Sequence, residues 1–255
     1  MNTKIDQIIN NIQFKYVNQN DIANSNWHYK FKKYLFYVYG LIRYQNLRHF
    51  TFYENTKTNL NNDDFQKFSK KMKTIEGMST IANAWIINQI ASTLSQDENY
   101  VNIGCWKGFS LIAGMINTNC TVYGVDNFAW KEQGKNDFYK NFKKYSKDNH
   151  FFYEGDYLDF LKDWEYKKKY IDFYFYDGPH GYKDQLQSLE FGSSFFRSGT
   201  IILVDDTNWD EPRQATLDFI NKKFNYNQYE LLHDIKCNHA KHPTFWNGLM
   251  ILKKL

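Results

Sequence analysis

Along residues 79–94, STIANAWIINQIASTL, apolar side chains fall at 81, 82, 85, 86, 87, 90 and 94, the recurrence of a helix, with Ser79 placed as its N-cap. Downstream the pattern shortens. YVNIG (100–104), CTVYGVD (120–126), HFFYEGD (150–156), YIDFYFYDG (170–178) and GTIILVDD (199–206) are rich in β-branched and aromatic residues and predict five strands. The intervening 108–117, 135–148, 157–168, 182–197 and 211–223 carry helical spacing, and Pro212 suits the first turn of the last of these. Such alternation requires crossover connections, so an α/β fold is expected, with a parallel sheet covered on both faces. After 223 the pattern changes. YNQYELLHDIK (226–236) and TFWNGLMILKK (244–254) have no helix between them and predict an antiparallel pair at one sheet edge. TNLNNDDFQK (58–67) is the most polar stretch and predicts a loop.

Charge divides the chain at about residue 75. Residues 1–75 hold 12 of the 32 Lys and Arg but 5 of the 28 Asp and Glu, a net charge of +7 against −3 for the remainder. The expected organisation is therefore a helical, basic-aromatic extension over 1–75 and a main domain over 76–255. Within the extension, 27–50 interleaves Lys30, Lys32, Lys33, Arg43 and Arg48 with nine aromatic residues. Two readings stand: a helical layer packing its aromatics on the main domain, or a surface for a membrane, a polyanion or a second copy of the chain.

Composition removes other classes. With 255 residues, 42% hydrophobic and 19% aromatic, the chain can bury a full core despite a mean hydropathy of −0.69. No apolar run approaches the roughly 20 residues of a membrane span, and MNTKIDQIINN has no apolar secretory region, so a cytoplasmic location is expected. Cys105, Cys120 and Cys237 form no CxxC or Cys/His cluster, which argues against a disulfide framework or structural zinc.

Parallel α/β sheets bind ligands beyond the carboxyl ends of their strands. Those ends are polar here. The first strand runs into NIGCWKGFS, where Gly104 and Gly108 flank a turn into a helix whose N-terminus favours anionic groups. The dinucleotide fingerprint GxGxxG is absent. Asp126 ends the second strand about 20 residues later, where an acid accepts from ribose hydroxyls. The third strand ends in Asp156 and Tyr157, the fourth in DGPHGY and the fifth in VDDTNW.

With these residues in order, the chain from about 76 to 255 resembles the class I S-adenosylmethionine-dependent methyltransferases. The likeness is to the metal-dependent small-molecule O-methyltransferase branch that contains catechol and macrolide-sugar methyltransferases. That resemblance implies a Rossmann-like, doubly wound seven-stranded sheet of order 3-2-1-4-5-7-6 with the last strand antiparallel. It implies that Glu76, Met78, Gly104, Cys105, Trp106, Gly108 and Ser110 border the methionine half of S-adenosylmethionine, that Asp126 holds the ribose and that Asp156 and Tyr157 flank the adenine. Asn102 departs from the acid many members carry in that strand. The resemblance further implies that Asp177, Asp205 and Asp206 bind one Mg2+ or Mn2+.

The chemistry asks for such a group. An ordinary alcohol is too weak an acid to attack a sulfonium methyl at neutral pH, and a cation that chelates it favours the alkoxide. His180 lies three residues after Asp177, where catechol-type enzymes place a lysine base, and it titrates near neutrality. Trp209, Asp210, Arg213, His239, His242, Trp246 and Asn247 decorate the expected pocket mouth. That mixture suits a sugar or nucleotide-linked sugar hydroxyl, with phenols or catechols as the alternative acceptors. DGPHGY lacks the Pro-Pro signature of amino-methylating nucleic-acid enzymes, so no nucleic-acid substrate is expected. A non-catalytic protein acting through 27–50 is the rival from another class. The extension is assigned to a lid or to homo-oligomer formation.

Overall fold

A computed structural model describes residues 14–16, 56–58, 63–130, 132, 134–167, 169–222, 227–236, 245 and 247–255. The segment 27–50, Cys237, His239, His242 and Trp246 lie outside the described residues. Two three-residue strands, Phe14–Tyr16 and Thr56–Thr58, pair antiparallel.

Seven strands form the main sheet: β1 (Asn99–Ile103), β2 (Thr121–Asp126), β3 (His150–Glu154), β4 (Ile171–Tyr176), β5 (Phe196–Asp205), β6 (Tyr229–Ile235) and β7 (Leu249–Lys254). Their order is 3-2-1-4-5-7-6. The first five are mutually parallel, and β7 runs antiparallel to both β5 and β6. The expected edge hairpin is thus present, with its second strand inserted beside β5. Central β1 and β4 are buried at every position, as parallel strands covered on both faces require.

One face carries α1 (Asp63–Met72), α2 (Ile81–Ala91), α3 (Phe109–Met115) and α4 (Gly134–Tyr145), whose apolar residues join Tyr100, Phe173, Phe175 and Leu203 in one core. The other carries α5 (Tyr157–Lys167), α6 (Tyr182–Ser193) and α7 (Asp210–Asn221) over Val101, Tyr174, Tyr176, Ile202 and Val204. Alternation along β4 and β5 thereby assigns each residue to a face.

Two local expectations change. The stretch 58–67 is not wholly a loop, because α1 begins inside it at Asp63. Its two leading acids, Asp63 and Asp64, complement the positive helix start, and Lys70 and Lys71 the negative end. Phe65 and Phe68 meet Trp85 of α2 edge-on at 5.1 Å each, which builds α1 into the main core. The N-cap of α2 is Thr80 and not Ser79. The Thr80 hydroxyl accepts from the Asn83 amide at 3.2 Å, whereas Ser79 Oγ accepts from the Asn83 side chain at 3.1 Å.

Candidate active site

The carboxyl end of β1 dictates the site's shape. Gly104 has φ of +82°, and a Cβ there would stand 1.9 Å from the Asp177 carbonyl oxygen. The glycine therefore serves close approach of the β4 strand end to the β1 turn. Hydrogen bonds from Gly104 N to Val125 O and from Asp177 N to Ile103 O, both 2.9 Å, bind the ends of β1, β2 and β4 together. Asn102, buried in β1, donates to Gly104 O at 3.0 Å and accepts from the Tyr100 hydroxyl at 3.2 Å, so it supports the same turn.

Asp126 fastens this turn from the second strand. Its Oδ2 accepts from the Cys105 and Trp106 amides, each at 2.7 Å, and its Oδ1 from the Phe128 amide at 2.6 Å. A carboxylate has about four acceptor sites, which leaves room for a hydroxyl. Trp106 (φ +44°), Gly108 (φ +92°) and Phe128 (φ +55°) are all left-handed, so unusual backbone is concentrated at these strand ends.

The remaining cofactor candidates divide. Glu76 reaches the turn through Lys107, whose ammonium lies 2.7 Å from Glu76 and 3.0 Å from Asp137 and is 7% exposed. Burial lowers the Lys107 pKa, but bonds to Glu76 and Asp137 outweigh it and leave the amine above its usual value. Met78 is partly exposed, while Cys105 and Ser110 are buried. The Cys105 thiol faces the Asn102 and Val125 carbonyls at 3.7 and 3.6 Å, and burial pushes its pKa up, so its backbone amide is the group turned to the loop's chemistry.

Asp156 and Tyr157 part company. Asp156 is exposed, and its Oδ1 accepts from the Leu158 amide at 2.8 Å at the start of α5. The Tyr157 ring turns into the core on the α5–α6 face, meets Tyr176 edge-on at 5.9 Å and donates to Asp184 O at 3.2 Å.

At β4 and β5 the chain collects acids and one imidazole. Asp177, His180 and Asp206 each offer a ligand atom within 4.8 Å of the others. His180 Nε2 is 3.1 Å from Asp206 Oδ2 and 3.9 Å from Asp177 Oδ1. Asp205, the other predicted aspartate, is buried beside this group and acts on Asp177 more strongly than Asp206 does. Asp206 is left-handed at φ +55°, and Asp205 Oδ1 accepts from its amide at 3.0 Å.

Crowding of like charge is plain in the proton affinities. Desolvation, then Asp205, Asp206 and Asp126, push Asp177 well above the usual carboxylate range. Burial and then Asp206 push Asp205 up to about 8. His180 is lowered by burial against the opposing pull of Asp206, and its buried Nδ1 has no hydrogen-bond partner among the described residues. Two hard carboxylate donors and an imidazole, with a further acid behind them, form a set that a divalent cation would neutralise.

Of the residues expected at the pocket mouth, Asn247 donates directly to Asp206 Oδ1, and Arg213 makes a two-pronged ion pair with Asp234, at 2.9 and 2.6 Å. Gln185 on α6 is not anticipated by the sequence: it is fully buried, and neither amide atom has a hydrogen-bond partner among the described residues, although nothing in its spacing distinguishes it from a surface glutamine.

Residues 101–207 match a family model described as a methyltransferase domain. No curated protein sequence matches the chain. Among solved structures, an O-methyltransferase from Bacillus cereus in complex with S-adenosylhomocysteine is similar at 14% identity and a TM-score of 0.55, over 77% of this chain and 93% of that one. The O-methyltransferase TomG from Streptomyces achromogenes, involved in tomaymycin synthesis and bound to S-adenosylmethionine, matches at 11% identity and a TM-score of 0.52, over 76% and 90% of the two chains. At these identities the structural likeness is one of fold. The described body thus shares the fold of these O-methyltransferases, and residues 101–207 within it match the methyltransferase domain model.

Proposed function

We propose that this protein transfers a methyl group from S-adenosylmethionine to a hydroxyl of a small molecule, a sugar or nucleotide-linked sugar, with the help of Mg2+ or Mn2+. One observation carries the reading: the Asp177 main chain touches Gly104, so the acid-imidazole group and the glycine turn adjoin at one end of the sheet. Donor and acceptor sites must adjoin for transfer.

In this reading the Gly104–Gly108 turn, Ser110, Glu76 and Met78 border the methionine part of the donor. Asp126 offers its remaining acceptor capacity to the ribose, and Asp156 and the backbone at Tyr157 border the adenine. Asp177 and Asp206 hold the cation, with Asp205 behind them; their mutual repulsion supports the fit. The bound donor supplies an electrophilic methyl on a sulfonium, and the cation supplies acidification of the acceptor hydroxyl. His180, whose pKa burial lowers against the opposing pull of Asp206, is the base for the hydroxyl proton. Asn247 orients Asp206. His180 and Trp209 meet edge-on with ring centroids 5.1 Å apart, which fixes the imidazole plane.

The test is formation of S-adenosylhomocysteine with a panel of sugar and phenol acceptors. Turnover with a sugar, abolished by EDTA and restored by excess Mg2+, is the expected result. Undiminished turnover in EDTA would remove the cation from the account, and preference for catechols would replace the acceptor class.

A further inference from the structure

Beside the acid-imidazole group lies an open groove of about 400 Å³ lined by His180, Gly181, Trp209, Asp210, Glu211 and Pro212. Trp209 is 43% exposed, an uncommon state for so large an apolar ring, and it meets His180 edge-on. An exposed indole next to the imidazole assigned to proton removal is a platform for the apolar face of a ring.

The charge of the groove narrows what that ring carries. Asp210 and Glu211 lie in the first turn of α7 and line the groove with two carboxylates. Asp184 adds a third acid, its Oδ2 3.3 Å from the point where a Gly181 Cβ would stand. None of the lining residues is Lys or Arg; of the neighbouring cations, Arg213 pairs with Asp234, and exposed Lys183 follows Tyr182 beside Asp184 without an ion pair to the three acids among the described residues.

Building on the methyl-transfer reading, we propose that this groove selects an amine-bearing hydroxylated ring, an amino sugar, which stacks on Trp209 and presents its ammonium to Asp210 and Glu211. A ring carrying a carboxylate in place of that ammonium meets like charge there and is rejected. The cationic face of an indole-stacked ring adds an attraction of its own.

Saturation-transfer NMR and calorimetry with glucosamine, N-acetylglucosamine and glucuronate test this directly, because binding is read without turnover. The expected result is glucosamine binding at least about tenfold tighter than N-acetylglucosamine, with glucuronate not bound. The preference should fall below about threefold in the D210N/E211Q double variant, in which Gln retains an acceptor for the Tyr182 amide that Glu211 now binds at 2.8 Å. Trp209→Ala should abolish binding of both glucosamine and its acetylated form. Equal binding of the three sugars, absence of glucosamine binding, or a preference untouched by the double variant would overturn the proposal. S-adenosylhomocysteine binding, measured on the same samples, separates the two ideas: its absence beside an intact sugar preference would sink methyl transfer and leave the groove assignment standing.

Discussion

Asp177 and Asp206 reach one point by different routes, the first as the direct continuation of β4 and the second through a left-handed residue after β5. Substituting Asp206→Asn removes a charge while keeping an oxygen of the same shape. Methyl transfer should fall by at least about 100-fold, roughly 2.7 kcal/mol of lost transition-state stabilisation, with S-adenosylhomocysteine affinity changed less than about threefold. Paired kinetics and calorimetry check this, and a parallel loss of cofactor affinity would show that Asp206 serves the fold instead. His150, at the far end of β3, supplies a pH test away from the site. Burial, then Lys147, lowers its pKa to about 4, and its Nδ1 accepts from the Lys147 amide at 3.1 Å. The unfolded chain then binds the proton more readily than the folded one, so stability declines as pH falls from about 6.5 towards 4. Between pH 7 and pH 5 this group costs about 2 kcal/mol, and urea titrations of His150→Asn should show a pH dependence shallower by that amount. The acids at strand ends and His180 were legible in the sequence because their chemistry is written in DGPHGY and VDDTNW. That His180 Nε2 meets Asp206, and that the Tyr157 ring packs in the core, depends on tertiary placement that no residue pattern encodes.

The β1–α3 turn is the element on which both halves of the site depend. Gly104→Ala introduces a Cβ 1.9 Å from the Asp177 carbonyl oxygen in a backbone region that L-residues avoid. Left-handed φ alone costs about 1–2 kcal/mol. With the clash, which is with backbone and cannot be relieved by rotating a side chain, the loss should exceed about 3 kcal/mol in urea unfolding. A near-neutral outcome would mean that the β1 and β4 ends separate easily. Most elements could be read from periodicity, because buried parallel strands are short apolar runs and their crossovers carry helical spacing. The exception is α1. Its start is disguised by the polar stretch 58–67, and its placement depends on Phe65 and Phe68 meeting Trp85, a tertiary contact with no local signal.

Across the molecule, strand order brings the ends of β1, β2, β4 and β5 to one rim, with the glycine turn on one side and the acid-imidazole group on the other. The strand alternation predicted the parallel body and the edge hairpin, while the order of the seven strands came from resemblance and agrees with the structure. No helix among the described residues is long and apolar enough to cross a membrane. The central claim is that the turn fastened by Asp126 receives a sulfonium donor. Isothermal titration of S-adenosylhomocysteine tests it most directly: micromolar binding to the wild-type chain, weakened at least about tenfold by Asp126→Asn and insensitive to EDTA, is predicted. No binding heat from the correctly folded wild-type chain at several temperatures would contradict it.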